Sequence, residues 1–128
     1  MVARKHVLIA DDQQGVRRLL MELLGVDRFH YSEAATGQEV LEVIRAGEVS
    51  LVLLDLKMPR MDGVEALKAI LELPAPPPVV MITAQGQKDL GQRLINMGAA
   101  AFLEKPFDVG HLHAVVDKFT GSGNGDNS

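Results

Sequence analysis

Residues 51–63 read LVLLDLKMPRMDG. Four aliphatic residues, Leu51, Val52, Leu53 and Leu54, run without a break into Asp55, with Leu56 behind it. A short apolar run bounded by turn residues fits a strand buried on both faces. A carboxylate at the end of such a strand is costly to keep charged unless something pairs with it. Asp55 therefore needs a partner.

Outward from this strand the same pattern recurs. Aliphatic runs stand at residues 6–10 (HVLIA) and 78–83 (PVVMIT), with weaker ones at 30–34 (HYSEA) and 99–104 (AAAFLE). Between them lie segments with helical spacing. The clearest places Val16, Leu19, Leu20, Leu23 and Leu24 at i, i+3, i+4, i+7 and i+8, a stripe on one helix face. Further helices are expected over 37–46, 63–73, 87–97 and 109–119. Gly25, Gly47 and Gly98 sit where helix ends need a residue tolerant of positive φ. The Pro-rich LPAPPP at 73–78 cannot continue a helix. Five βα units follow, forming an open parallel sheet with helices on both faces. They make one domain over 1–120, and the tail 121–128 (GSGNGDNS) has nothing to bury and is expected to be disordered.

Composition narrows the function. The 128 residues suffice for one domain with its own core. A net charge of -4 gives no broad basic surface for nucleic acid. No apolar run approaches the ~20 residues that span a bilayer. The apolar run near the start is short and meets Asp11 and Asp12, unlike a signal peptide. There are no cysteines, hence no disulfides and no thiolate zinc site. A cytoplasmic protein is the simplest reading.

In open α/β sheets the functional crevice lies beyond the carboxyl ends of the strands. The first strand ends in Asp11 and Asp12, the third in Asp55 and the fourth in Thr83, while Lys105-Pro106 follows the fifth. Taken singly, each has an ordinary explanation. Asp11 and Asp12 would serve as a helix cap and a first-turn acid, Thr83 as a β-branched strand end, and Lys105 as a surface lysine. Together they converge on one edge. Three clustered carboxylates need a cation, and an oxygen-only donor set points to Mg²⁺. A carboxylate can also attack phosphorus to give an acyl phosphate. Such a transfer depends mainly on positioning and charge neutralisation.

The strings VLIADDQ, LVLLDLKMPRMDG, VVMITA and GAAAFLEKPF, in this order over about residues 5–119, resemble the receiver domain of bacterial response regulators. The resemblance implies a doubly wound, flavodoxin-like (βα)5 fold with strand order 2-1-3-4-5. It makes Asp55 the phosphoacceptor. Asp11, Asp12, Asp55 and the backbone carbonyl of Lys57 would bind Mg²⁺, and Thr83 and Lys105 would contact the phosphoryl group. Phe102 matches the aromatic whose rotamer follows activation, and the Lys105-Pro106 bond is expected to be cis. The implied donor is a histidine kinase or histidine phosphotransferase. Such a chain catalyses its own aspartyl phosphorylation and dephosphorylation, yet is a signalling protein rather than a conventional enzyme. It is expected to be a monomer, with dimerisation on phosphorylation as the alternative.

Some positions vary within the family. Gln13 adds no charge beside the metal, and Phe102 has no hydroxyl. Lys57 and Gln85, each two residues past a site residue, are expected to flank the path of attacking water. The strings DDQQGVR, DLKMP and KPFD look most like the single-domain regulator of the sporulation phosphorelay; the alternative is a receiver cut from a longer DNA-binding regulator or hybrid kinase. On the first helix Gly15 and Leu19 share one side. With Pro106 and Phe107 they are candidates for docking a histidine-bearing partner, although Leu19 fits the core equally well.

Other functions fit less well. An aspartyl phosphatase typically carries a second acid two residues after the nucleophile, where this chain has Lys57. A flavodoxin needs a Ser/Thr/Gly phosphate loop after the first strand, where this chain has Asp11 and Asp12. A receiver retained only for docking would have lost some site residue, and none is lost.

Overall fold

The computed structural model describes residues 4–58 and 62–121. Strands β1 (His6–Ala10), β2 (His30–Ala34), β3 (Leu51–Asp55), β4 (Val79–Thr83) and β5 (Ala101–Glu104) alternate with helices α1 (Gln14–Leu24), α2 (Gly37–Ala46), α3 (Gly63–Leu71), α4 (Lys88–Met97) and α5 (Val109–Thr120). The strands form one parallel sheet in the order β2-β1-β3-β4-β5, as expected.

The period-2 geometry of a strand sends alternate side chains to opposite faces. On β3, Leu51 and Leu53 join Val7, Ile9, Val80 and Ile82 under α1 and α5, where Leu20, Leu24, Leu112 and Val116 close the layer. Val52 and Leu54 join Leu8, Ala10, Val79 and Met81 on the other face, covered by Val40, Leu67, Ile70 and Leu94 of α2, α3 and α4. All five β3 residues are buried, so the unbroken aliphatic run is required by both layers. Each such side chain contributes about 1.5–3 kcal/mol of burial.

Several boundaries differ from the sequence expectation. β5 starts at Ala101, because Ala99 still closes α4 through its N–H to Leu94 O at 3.0 Å. α3 ends at Leu71: the Leu73 N–H reaches back only three residues, to Ile70 O at 3.0 Å, before Pro74 blocks continuation. Gly25 and Gly98 have positive φ as expected, but Gly47 is extended at φ -170, so any residue can adopt its backbone there. Of the tail, Gly121 is the left-handed C-cap of α5, and 122–128 lie outside the described residues.

Register levels the site. Ala10 pairs with Leu54, Asp55 with Ile82, and Thr83 with Glu104. The residues that end or follow these strands therefore come out on one rim.

Candidate functional site

At that rim the carboxylates of Asp11, Asp12 and Asp55 offer oxygens that all lie within 4.8 Å of one another. Asp11 is fully buried, Asp55 nearly so, and Asp12 is exposed. Backbone contacts fix the first of these. The Asp11 N–H donates to Ala34 O at 3.0 Å, extending the β1–β2 ladder by one residue. Arg17 Nη1 donates to Asp11 O at 2.6 Å while its Nε pairs with Glu33. Gln13 is the N-cap of α1, and Asp11 Oδ1 accepts its N–H at 2.9 Å from just outside the helix.

Asp55 is set by the turn into α3. The Leu56 N–H donates to Ile82 O at 3.0 Å, and the Gly63 N–H donates to Leu56 O at 2.8 Å. A Cβ at Gly63 would lie 2.6 Å from Asp55 O and 2.7 Å from Leu56 Cα, so the close return of the chain beneath Asp55 requires glycine. Asp62 then starts α3 with a capping box completed by Glu65.

Lys105 is the shared cation. Its Nζ lies 3.3 Å from Asp11 Oδ2 and 3.6 Å from Asp55 Oδ1, with the side chain about one-third exposed at 34%. It is thus not an ordinary surface lysine. Its N–H donates to Thr83 O at 2.9 Å, and the Lys105-Pro106 peptide is cis. Thr83 is buried, its hydroxyl donating weakly to Leu103 O at 3.4 Å. One ammonium facing three carboxylates leaves an excess of negative charge. Burial above all, and then Asp11, push the Asp55 carboxyl up to about 6; Lys105 opposes this and Asp12 adds to it. The donor set suits Mg²⁺: hard oxygens, clustered, with surplus negative charge and open solvent on the Asp12 side.

A cleft of about 370 Å³ opens over these groups, lined by Asp11, Asp12, Asp55, Lys57, Gln87 and Lys105 among others. Lys57 lines this cleft. Gln85 lines a shallow hollow with Gly86, Lys88 and Glu104. The chain turns at Gly86, whose φ of +84 favours glycine, and Gln87 at the start of α4 is among the residues lining the cleft. The spacing from Thr83 gave no sign of this.

The remaining expected residues divide between two places. Phe102 is half-buried against the layer beneath α4, and a Cβ at Gly91 would come within 2.5 Å of its ring. Gly91, which the sequence did not single out, therefore makes room for the aromatic side chain. Exposed Pro106 and half-buried Phe107 line a hollow with Phe102, Leu103 and His111. On α1, Gly15 is open to solvent and Leu19 is 45% exposed, so Leu19 is not core.

Residues 7–117 match the model of the response regulator receiver domain. The chain is 36% identical over 115 residues to sporulation initiation phosphotransferase F of Bacillus subtilis, covering 90% of this chain and 93% of that protein. It is 37% identical over 114 residues to the transcriptional regulatory protein PdtaR of Mycobacterium tuberculosis, covering 88% of this chain but 55% of that one. Among solved structures, the receiver domain of NtrX from Brucella abortus superposes with a TM-score of 0.83 at 28% identity, over 91% of this chain and 99% of that one.

Proposed function

Because this chain belongs to the response regulator receiver domain family of two-component signalling, we propose that Asp55 accepts a phosphoryl group from a phosphohistidine donor. Receiver domains take phosphoryl groups from histidine kinases or phosphotransferases, and a protein of that kind is the partner. In the transfer the donor's P–N bond breaks as a P–O bond to an Asp55 oxygen forms. The imidazole leaves with the P–N electron pair, and Asp55 becomes an acyl phosphate.

The observation that carries this reading is the position of Asp55: at the end of the central strand, against two carboxylates and one lysine, on the wall of an open cleft. Asp11, Asp12 and Asp55, with the backbone carbonyl of Lys57, would hold Mg²⁺. Bound there, the ion offsets the charge of the phosphoryl oxygens. Lys105 already reaches the Asp55 carboxylate and is placed to pair with an incoming phosphoryl oxygen. The Thr83 hydroxyl has only a long bond to give up before turning to another. Phe102, over Gly91, is the side chain through which the change at Thr83 passes outward.

Gly15 and Leu19, beside the acid pair on α1, form the partner's docking patch, with Pro106 and Phe107 at a second edge. The similarity to the sporulation phosphotransferase supports a relay intermediate, which this reading takes to be monomeric and cytoplasmic. The partial coverage of PdtaR favours a second reading, the receiver portion of a longer regulator. Among the described residues no helix is long and apolar enough to cross a membrane.

Acetyl phosphate with Mg²⁺ tests the reading. One hydroxylamine-labile phosphoryl group should be taken up, and EDTA should abolish uptake. Undiminished uptake in EDTA contradicts the metal's role, and no uptake at all contradicts the phosphoacceptor reading.

A further inference from the structure

Arg17 stands near the N-terminus of α1, four residues after its N-cap Gln13. A cation there opposes the helix dipole, which favours acids at that end. The side chain is nonetheless largely buried, with 14% exposed. A guanidinium withdrawn from water needs partners that offset its desolvation.

It has two, and one planar fork reaches both. Nε pairs with Glu33 Oε1 on β2 at 2.9 Å, and Nη1 donates to the Asp11 carbonyl oxygen at 2.6 Å. The Glu33 carboxylate neutralises the guanidinium and aims it. Both backbone groups of Asp11 are thereby tied to β2: the N–H directly, at Ala34 O, and the carbonyl through Arg17 and Glu33. Arg17 acts as a ladder donor one residue beyond the end of β1.

The same peptide carries Asp12. The Asp11 carbonyl and the Asp12 N–H belong to one planar unit, so a donor that fixes the carbonyl also fixes where Asp12 begins. Among the described residues none gives the Asp12 carboxylate a hydrogen bond or ion pair, so its backbone sets its place beside Asp11 and Asp55. Mg²⁺ demands near-ideal octahedral geometry and is sensitive to a small rotation of such a ligand.

We propose that Arg17 is a positioning residue for the Mg²⁺ site, acting through the Asp11–Asp12 peptide, and that Glu33 orients it. Arg17 supplies no ligand, since a guanidinium has no acceptor. The inference rests on the reading of Asp11, Asp12 and Asp55 as Mg²⁺ ligands, and it names what holds them in place before the ion arrives.

The test titrates the full chain with Mg²⁺ and no phosphoryl donor, following amide resonances, with thermal midpoints recorded alongside. Arg17→Met keeps the apolar stem and removes the fork. It should shift the Asp12 and Gln13 amide resonances in metal-free buffer and weaken Mg²⁺ binding about tenfold, the low end for groups that orient metal ligands. Arg17→Lys keeps the charge without the fork, so its affinity should stay nearer the Met variant than the parent. Glu33→Gln retains an oxygen for Nε and should bind Mg²⁺ more tightly than Glu33→Ala. Arg28→Met breaks the ion pair with Asp117 beyond the far end of α1 and serves as the control for stability alone. It should lower the midpoint yet leave Mg²⁺ affinity within about twofold of the parent. Parental affinity in Arg17→Met overturns the proposal, as does an equal loss in Arg28→Met. Full recovery in Arg17→Lys overturns the fork and leaves only charge, and equal affinities of the two Glu33 variants overturn the orienting role. A parent that binds no Mg²⁺ refutes the metal reading beneath the proposal, while unshifted Asp12 and Gln13 resonances in metal-free Arg17→Met refute the positioning itself.

Discussion

Lys105 Nζ stands 3.6 Å from Asp55 Oδ1, yet the Asp55 carboxyl is held at about 6, above its ordinary 3.8. The lysine divides its charge between Asp55 and the fully buried Asp11, so burial and the two neighbouring acids outweigh it. Asp55 is an acid that the fold holds at a cost, ready for something that removes its charge or neutralises it.

That cost has a pH signature. A carboxyl whose folded value is raised binds its proton more tightly in the native state, so stability falls as pH rises from about 4 to about 6. Above about 6 the full penalty remains, about 1–3 kcal/mol. Asp55→Asn in metal-free buffer at pH 7 should therefore unfold at a higher denaturant concentration than the parent. The gain should shrink toward zero below about pH 4, where the parent carboxyl is protonated in both states. Equal stabilities at pH 7 would show that the site does not strain Asp55.

Gly91 and Phe102 are coupled by space. Any Cβ at position 91 enters the ring at its Cγ and Cδ2, which cannot swing aside without turning the whole side chain. Gly91→Ala should cost about 1–3 kcal/mol in denaturant melts, the range for overpacking. In a Phe102→Ala background the same change should cost far less, giving a coupling energy of about 1 kcal/mol or more. Additive effects would mean that the helix and the ring do not meet in solution.

Leu19 separates docking from folding. Because it is 45% exposed, Leu19→Asp should leave the melting midpoint near the parent's and leave acetyl phosphate labelling intact. Transfer from a phosphorylated histidine protein should slow at least about tenfold if this side chain sits at the centre of the contact. A fall in stability together with both reactions would place Leu19 in the core instead.

Most of the frame was legible in the chain because each strand's apolar run ends where its chemistry begins. The doubly buried β3 required Asp55 to have a partner, and parallel register then levelled Asp11, Thr83 and Lys105 beside it. What the sequence hid depends on single dihedrals and on packing between distant segments. Gly86 takes a left-handed φ of +84 between the fourth strand and α4, and spacing cannot reveal it. Glu104 of β5 accepts the N–H groups of Gly86 and Gln87 just ahead of α4, a contact beyond any local capping pattern. Leu19 belonged to the apolar stripe by period, but α1 turns only Leu20 and Leu24 fully inward. Gly47 looked like a left-handed cap and is extended, because a glycine after a helix permits positive φ without requiring it.

The central claim is that Asp55 itself receives the phosphoryl group, and intact-protein mass spectrometry tests it most directly. Parent and Asp55→Asn proteins are incubated in parallel with acetyl phosphate and Mg²⁺, each first shown to be folded. The account predicts a single phosphoryl adduct on the parent, removed by hydroxylamine, and none on Asp55→Asn. An adduct of equal yield on Asp55→Asn would contradict it.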